Sequence, residues 1–122
     1  MTEIVERLRL PPEPSSAGAA RRFVGAALDA GGEVAELAVL LVSELASNAV
    51  LHARTPFEVV VYVDEGHLRV EVSDLDSRLP SLRRYARESI TGRGLHMVAA
   101  SADRWGFDAQ PGGKVVWFEF NR

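Results

Sequence analysis

The sequence predicts an α+β fold: a two-layer sandwich with a mostly antiparallel sheet and helices packed on one of its faces. Three observations point there. Two stretches of helical period lie in the first half, separated by Gly31-Gly32. At residue 57 the period changes to alternating, β-branched segments joined by tight turns, and a third short helical stretch interrupts these before the last pair. At 122 residues, with 47% hydrophobic and 25% charged, the chain has material for one core, so a single domain over residues 1–122 is expected.

Each element has its own local cause. Ile4, Glu6, Leu8 and Leu10 alternate imperfectly with Val5, Arg7 and Arg9, as a short edge strand would. PPEPSS breaks structure, and Ser15 or Ser16 is placed to cap a helix running to about residue 30, with Ala19, Phe23, Ala26 and Ala27 as its expected core face. Gly31-Gly32 ends that helix. A second runs from 34 to 52 or 53 and stops before Thr55-Pro56. FEVVVYV over 57–63 and the alternation over 68–72 make a hairpin across Asp64-Glu65-Gly66-His67, where Gly66 suits positive φ. Residues 79–91 are polar and begin at Pro80, with only a short helix expected. Gly92 and Gly94 precede a helix over 95–102, and strands over 104–108 and 114–120 flank the Pro111-Gly112-Gly113 turn.

Composition narrows the function classes. The net charge of −3 speaks against direct nucleic-acid binding. No apolar run approaches the roughly 20 residues that cross a bilayer, and no signal-peptide core is expected in MTEIVERLRL. Cysteine is absent, which excludes disulfides and thiolate metal sites and fits a reducing, cytoplasmic setting. The charge is uneven, however: Arg78, Arg83, Arg84, Arg87 and Arg93 face a single acid, Glu88, over residues 78–93. Such a segment is either a solvated face or an offer to a localised anion.

Three positions break the apolar pattern. In SELASNAVLH, Glu44, Asn48 and His52 recur every four residues, in the same sector as Leu37, Leu41 and Leu45, and therefore on the inward side of the helix. Burying an unpaired amide costs about 1–3 kcal/mol, so such groups need a partner, either local or bound. Asp74 continues the parity of Leu68, Val70 and Val72, so a carboxylate ends the row facing the helices; it either caps the next turn or accepts a hydrogen bond from something between the layers. Gly92-Arg93-Gly94 leads into a helix, where free N–H groups and close backbone approach suit phosphate. Neither GxxxxGK[ST] nor GxGxxG occurs. The parts suit a nucleotide: Asp74 for a base amino group, backbone N–H groups for phosphate, and Asn48 for a Mg²⁺ that borrows its other ligands from phosphate and water.

These residues resemble the Bergerat-fold (GHKL) ATPases. SELASNAVLHA is similar to their N box, and most similar to that of the anti-sigma factor serine kinases within the histidine-kinase-like group. VSDLDSRLP over 72–80 resembles the first glycine box, V-x-D-x-G-x-G-x-P, at its valine, aspartate and proline. Gly92-Arg93-Gly94-Leu95 resembles the second box, and Gly113-Lys114-Val115-Val116-Trp117 the closing strand. Order and spacing agree over roughly residues 15 to 120. The resemblance implies Glu44 as general base, Asn48 as the Mg²⁺ ligand, and Asp74 on the adenine amino group. Asp76, Arg78, Gly92, Arg93, Gly94 and Leu95 would contact nucleotide, under an ATP lid over approximately 76–93. It gives His52 no role.

The resemblance further implies a homodimer that binds ATP and Mg²⁺, restrains a sigma factor and phosphorylates an anti-anti-sigma (STAS-type) partner. Two departures stand out. Asp76 and Arg78 replace both glycines of the first box, and the arginine usual before the second box falls at Ile90, with Arg87 and Arg93 nearby. The alternatives are a module of the same fold that binds ATP or protein partners without phosphoryl transfer, and a stand-alone ATP-binding domain working with a separate phosphatase or sensor. Sensor kinases, gyrases and chaperones of the superfamily would need further domains.

Overall fold

A computed structural model describes residues 3–28, 31–77 and 94–121, with the side chains of 94–97 outside that description. Its elements are β1 (Ile4–Leu10), α1 (Ser15–Ala27), α2 (Glu33–Asn48) continued by a π turn (Ala49–Ala53), β2 (Phe57–Val63), β3 (His67–Asp74), α3 (Gly94–Ser101), β4 (Arg104–Gln110) and β5 (Gly113–Asn121). The five strands form one sheet in the order β1-β2-β3-β5-β4, antiparallel at every pairing. β1 is the edge strand the alternation predicts.

The register explains the core. Val59, Val61 and Val63 on β2 lie opposite Val72, Val70 and Leu68 on β3, which lie opposite Val116, Phe118 and Phe120 on β5. All nine are buried, and Ala38, Leu41, Val42 and Leu45 of α2 close over them. Branched and aromatic side chains on a pleated face against small and aliphatic positions on a helix give the two-layer core. α1 and α3 both pack on α2. Together α2 and the π turn make a stretch of 21 residues with a mean hydropathy of 1.7, long and apolar enough to cross a bilayer by length and composition alone, a point that the expectation of no such run overlooked. Ala38, Leu41, Val42, Leu45, Ala46 and Ala49 are nevertheless buried with the sheet residues, as in a core helix.

Three local expectations are corrected. α1 buries Ser16, Ala20 and Val24, a stripe turned one residue from the expected one: Ala19, Phe23 and Ala27 are half-buried and Ala26 is exposed. Pro14 occupies the N-cap with no side-chain cap bond, and Ser16 Oγ instead donates to the Pro11 carbonyl at 2.7 Å. Gly66 is not among the glycines with positive φ; its N–H donates to Asp64 Oδ1 at 2.9 Å, and that bond shapes the turn. Positive φ is found at Gly31, Gly32 and Gly112.

The sheet face away from the helices carries a charge network. Glu119 accepts from Arg104 Nε at 2.7 Å and Arg69 Nη1 at 3.1 Å, with His67 Nε2 at 3.2 Å. Arg69 also bonds Glu71 at 2.9 Å and lies over the Trp117 ring, 4.2 Å from its centroid.

Candidate nucleotide site

α2 is in unbroken α geometry through Glu44 and Asn48, so both side chains fall on its buried side, 7% and 4% exposed. Immediately after Asn48 the helix widens into the π turn. Arg54, left-handed at φ 57°, closes it by donating its N–H to the Ala49 carbonyl at 2.9 Å, five residues back. Such single π turns often mark functional sites. The wider turn moves His52 off the line set by Glu44 and Asn48, and it is half-buried. The expected row of three therefore divides into a buried pair and a residue at its margin.

Neither atom of the Asn48 amide has a hydrogen-bond partner among the described residues, although both are buried. A buried polar group left unmade costs about 1–3 kcal/mol. Glu44, one turn earlier, does engage a partner. An inward amide oxygen with no partner suits a hard cation. Among the described residues no cluster of three acidic, histidine or cysteine side chains could hold a metal by itself. A magnesium ion at Asn48 would therefore draw most of its ligands from phosphate and water.

β3 alternates half-buried and buried along its length and ends on Asp74, inward and 8% exposed, as its parity predicts. Asp74 both caps its turn and meets a charge. Its Oδ1 accepts the Asp76 N–H at 2.9 Å, and the Lys114 ammonium lies 3.0 Å from each of its carboxylate oxygens. Lys114, 4% exposed, also reaches the Asp76 carbonyl at 3.4 Å. The closing-strand motif contains this lysine but gives it no role. The parity applied to β3 finds it, because Lys114 precedes Val116, Phe118 and Phe120 in one row of β5. The Thr55 hydroxyl beyond the π turn accepts the Leu75 N–H at 3.0 Å, tying the end of α2 to the end of β3. Gly94 opens α3. Arg78, Gly92, Arg93, the Leu95 side chain and residues 78–93 of the expected lid lie outside the described residues.

The sheet order, the helix layer on one face and an inward Asn on the central helix now stand beside one further finding. The sequence matches the model of the histidine kinase-like ATPase domain over residues 10–120. The chain belongs to that family. Its fold is similar to that in the crystal structure of the RsbU and RsbW domains of Rv1364c from Mycobacterium tuberculosis, with a TM-score of 0.72 and 18% identity. The match covers 98% of this chain and 33% of that one, so this ATPase domain spans a third of its relative's length. At that identity the likeness is one of fold. No curated protein matches the sequence.

Proposed function

We propose that this ATPase-family chain is an ATP-binding anti-sigma-type regulator that phosphorylates a serine or threonine of an anti-anti-sigma (STAS-type) partner. The observation that carries this reading is the buried amide of Asn48, unpartnered among the described residues and one helical turn from the buried Glu44. Asn48 Oδ1 would hold the magnesium ion, whose charge neutralises the phosphates. Asp74 would accept from the adenine amino group. Gly94 with its neighbours Gly92, Arg93 and Leu95 would contact the phosphates, and Asp76 and Arg78, in place of the first-box glycines, would line the nucleotide near its base. Glu44 would take the proton of the partner hydroxyl as its oxygen attacks the γ-phosphorus and ADP departs. Phosphoryl transfer needs chiefly positioning, neutralised charge and a base at the incoming oxygen, and these residue types supply all three. A homodimer, a sigma factor as the restrained partner and a cytoplasmic location complete the proposal.

Mg-ATP should raise the melting temperature of the chain, since a ligand that binds only the native state stabilises it. Asn48→Ala should abolish that rise; an unchanged shift would remove Asn48 from the metal site. With labelled γ-phosphate and a cognate partner, Glu44→Ala should stop transfer while sparing nucleotide binding. The second reading, binding without transfer, is favoured by Asp76 and Arg78 standing where the first box has glycines. It predicts a thermal shift with no labelled partner under any condition.

A further inference from the structure

Lys114 stands in a row that otherwise reads Val116, Phe118 and Phe120, under the helix layer. Taking a lysine and an aspartate out of water is costly, and an apolar pair of similar size would often serve stability as well. The pair therefore calls for a chemical reason, and the geometry at Asp74 gives one. Oδ1 already accepts two donors, the Asp76 N–H and Lys114 Nζ, whereas among the described residues Oδ2 meets Lys114 alone. A carboxylate has about four acceptor positions, so Oδ2 keeps one for a donor arriving from the space between the layers. Gly113 makes the arrangement possible, because a Cβ there would collide with the Asp74 carbonyl oxygen and β5 could not lie so close.

We propose that Lys114 is a positioning residue that holds the Asp74 carboxylate fixed, so that Oδ2 is presented as an acceptor to the exocyclic amino group of a bound purine. The inference rests on the nucleotide reading above and deepens it. Lys114 never needs to touch the base; it sets the preference for a 6-amino purine through Asp74. At this end of the helix-facing side, the charged or titratable groups among the described residues are Lys114 from β5, Asp76 beyond β3, Glu44 of α2 and, at the margin, His52 of the π turn. The paired residues Leu10 and Phe57 of β1 and β2, and Ala109 of β4, add none.

The test compares ATP with purine riboside triphosphate, which lacks the amino group, by calorimetry. The wild-type chain should prefer ATP by at least about tenfold, because an acceptor left unmet in the bound state rejects the analogue. In Lys114→Met the Asp74 carboxylate loses the ammonium that fixes it, and ATP affinity should fall toward that of the analogue. Lys114→Arg should restore the preference. Circular dichroism establishes folding, and Lys114→Gln, neutral but polar, takes the place of the methionine variant if that does not fold. Equal losses for both nucleotides with the preference intact would overturn the proposal, leaving Lys114 a packing role. Binding of neither nucleotide by the wild-type chain would instead overturn the nucleotide reading, and this inference with it.

Discussion

The two faces of the sheet handle charge in opposite ways. On the outer face Arg69, Glu71, Arg104, Glu119 and His67 satisfy one another in a network open to water. Burial by itself would raise the Glu119 carboxyl, but hydrogen bonds from Arg104 and Arg69, with His67 nearby, more than offset it and hold it below the ordinary glutamate value. Arg69 is held above its ordinary value in the same way, its bonds to Glu71 and Glu119 outweighing burial. On the inner face Asp74 and Lys114 form a pair out of water, and Asn48 is left without a hydrogen-bond partner among the described residues. The outer network is chemically complete and serves the sheet. The inner face keeps hydrogen-bonding capacity in reserve at a cost in stability, the trade expected where a ligand is to be bound.

Four substitutions would break or sharpen that contrast. Gly113→Ala should do most, since the added methyl meets backbone rather than a movable side chain; a loss of about 3 kcal/mol or more is expected in denaturant unfolding. By comparison, the Cβ of a Gly106→Ala change on the outer face would first meet the Trp117 ring, at 2.7 Å, a side chain and not backbone.

Asn48→Leu should go the other way. Replacing a partnerless buried amide by an apolar group of similar size should stabilise the ligand-free chain by about 1–2 kcal/mol while removing the Mg-ATP shift. Destabilisation would mean that the amide has a structural partner.

Glu119→Gln should cost about 1–2 kcal/mol near neutral pH, the scale of a charged hydrogen bond. The sign follows from its lowered folded-state pKa: the stabilisation is present above the unfolded value of 4.5 and is lost as pH falls through the folded one. The wild-type chain should therefore lose its advantage over the variant in acid titrations of melting temperature. Arg7→Ala removes a 3.5 Å pair to Glu58 whose arginine is 61% exposed. Less than about 0.5 kcal/mol should follow in the same assay.

Much of this was legible beforehand because strands and turns carry local signals. The alternation along 68–74 was enough to turn Asp74 inward, and Gly31-Gly32 and Pro111-Gly112-Gly113 marked real breaks. The face of α1 was not legible: SSAGAARRFVGAA offers apolar residues at so many positions that its alanines and glycines fit more than one stripe. Strand order resisted for another reason. β5 lies between β3 and β4, a pairing across some forty residues that no local pattern encodes. Lys114 stands in the closing-strand motif without a role, because its inward direction shows only when its row is followed to Phe120. The π turn leaves no trace in AVLHA, whose composition is that of an ordinary helix.

That turn has a consequence for how the site tolerates insertions and deletions. A π turn is an α-helix holding one surplus residue, and the surplus is absorbed before the chain reaches Thr55, whose hydroxyl accepts the Leu75 N–H. Removing one residue from 49–53 would regularise the helix yet swing Thr55 away from Leu75, unlatching the start of the segment that follows Asp74. Local regularity and correct spacing of the two halves of the site are therefore opposed here, and the chain has kept the spacing.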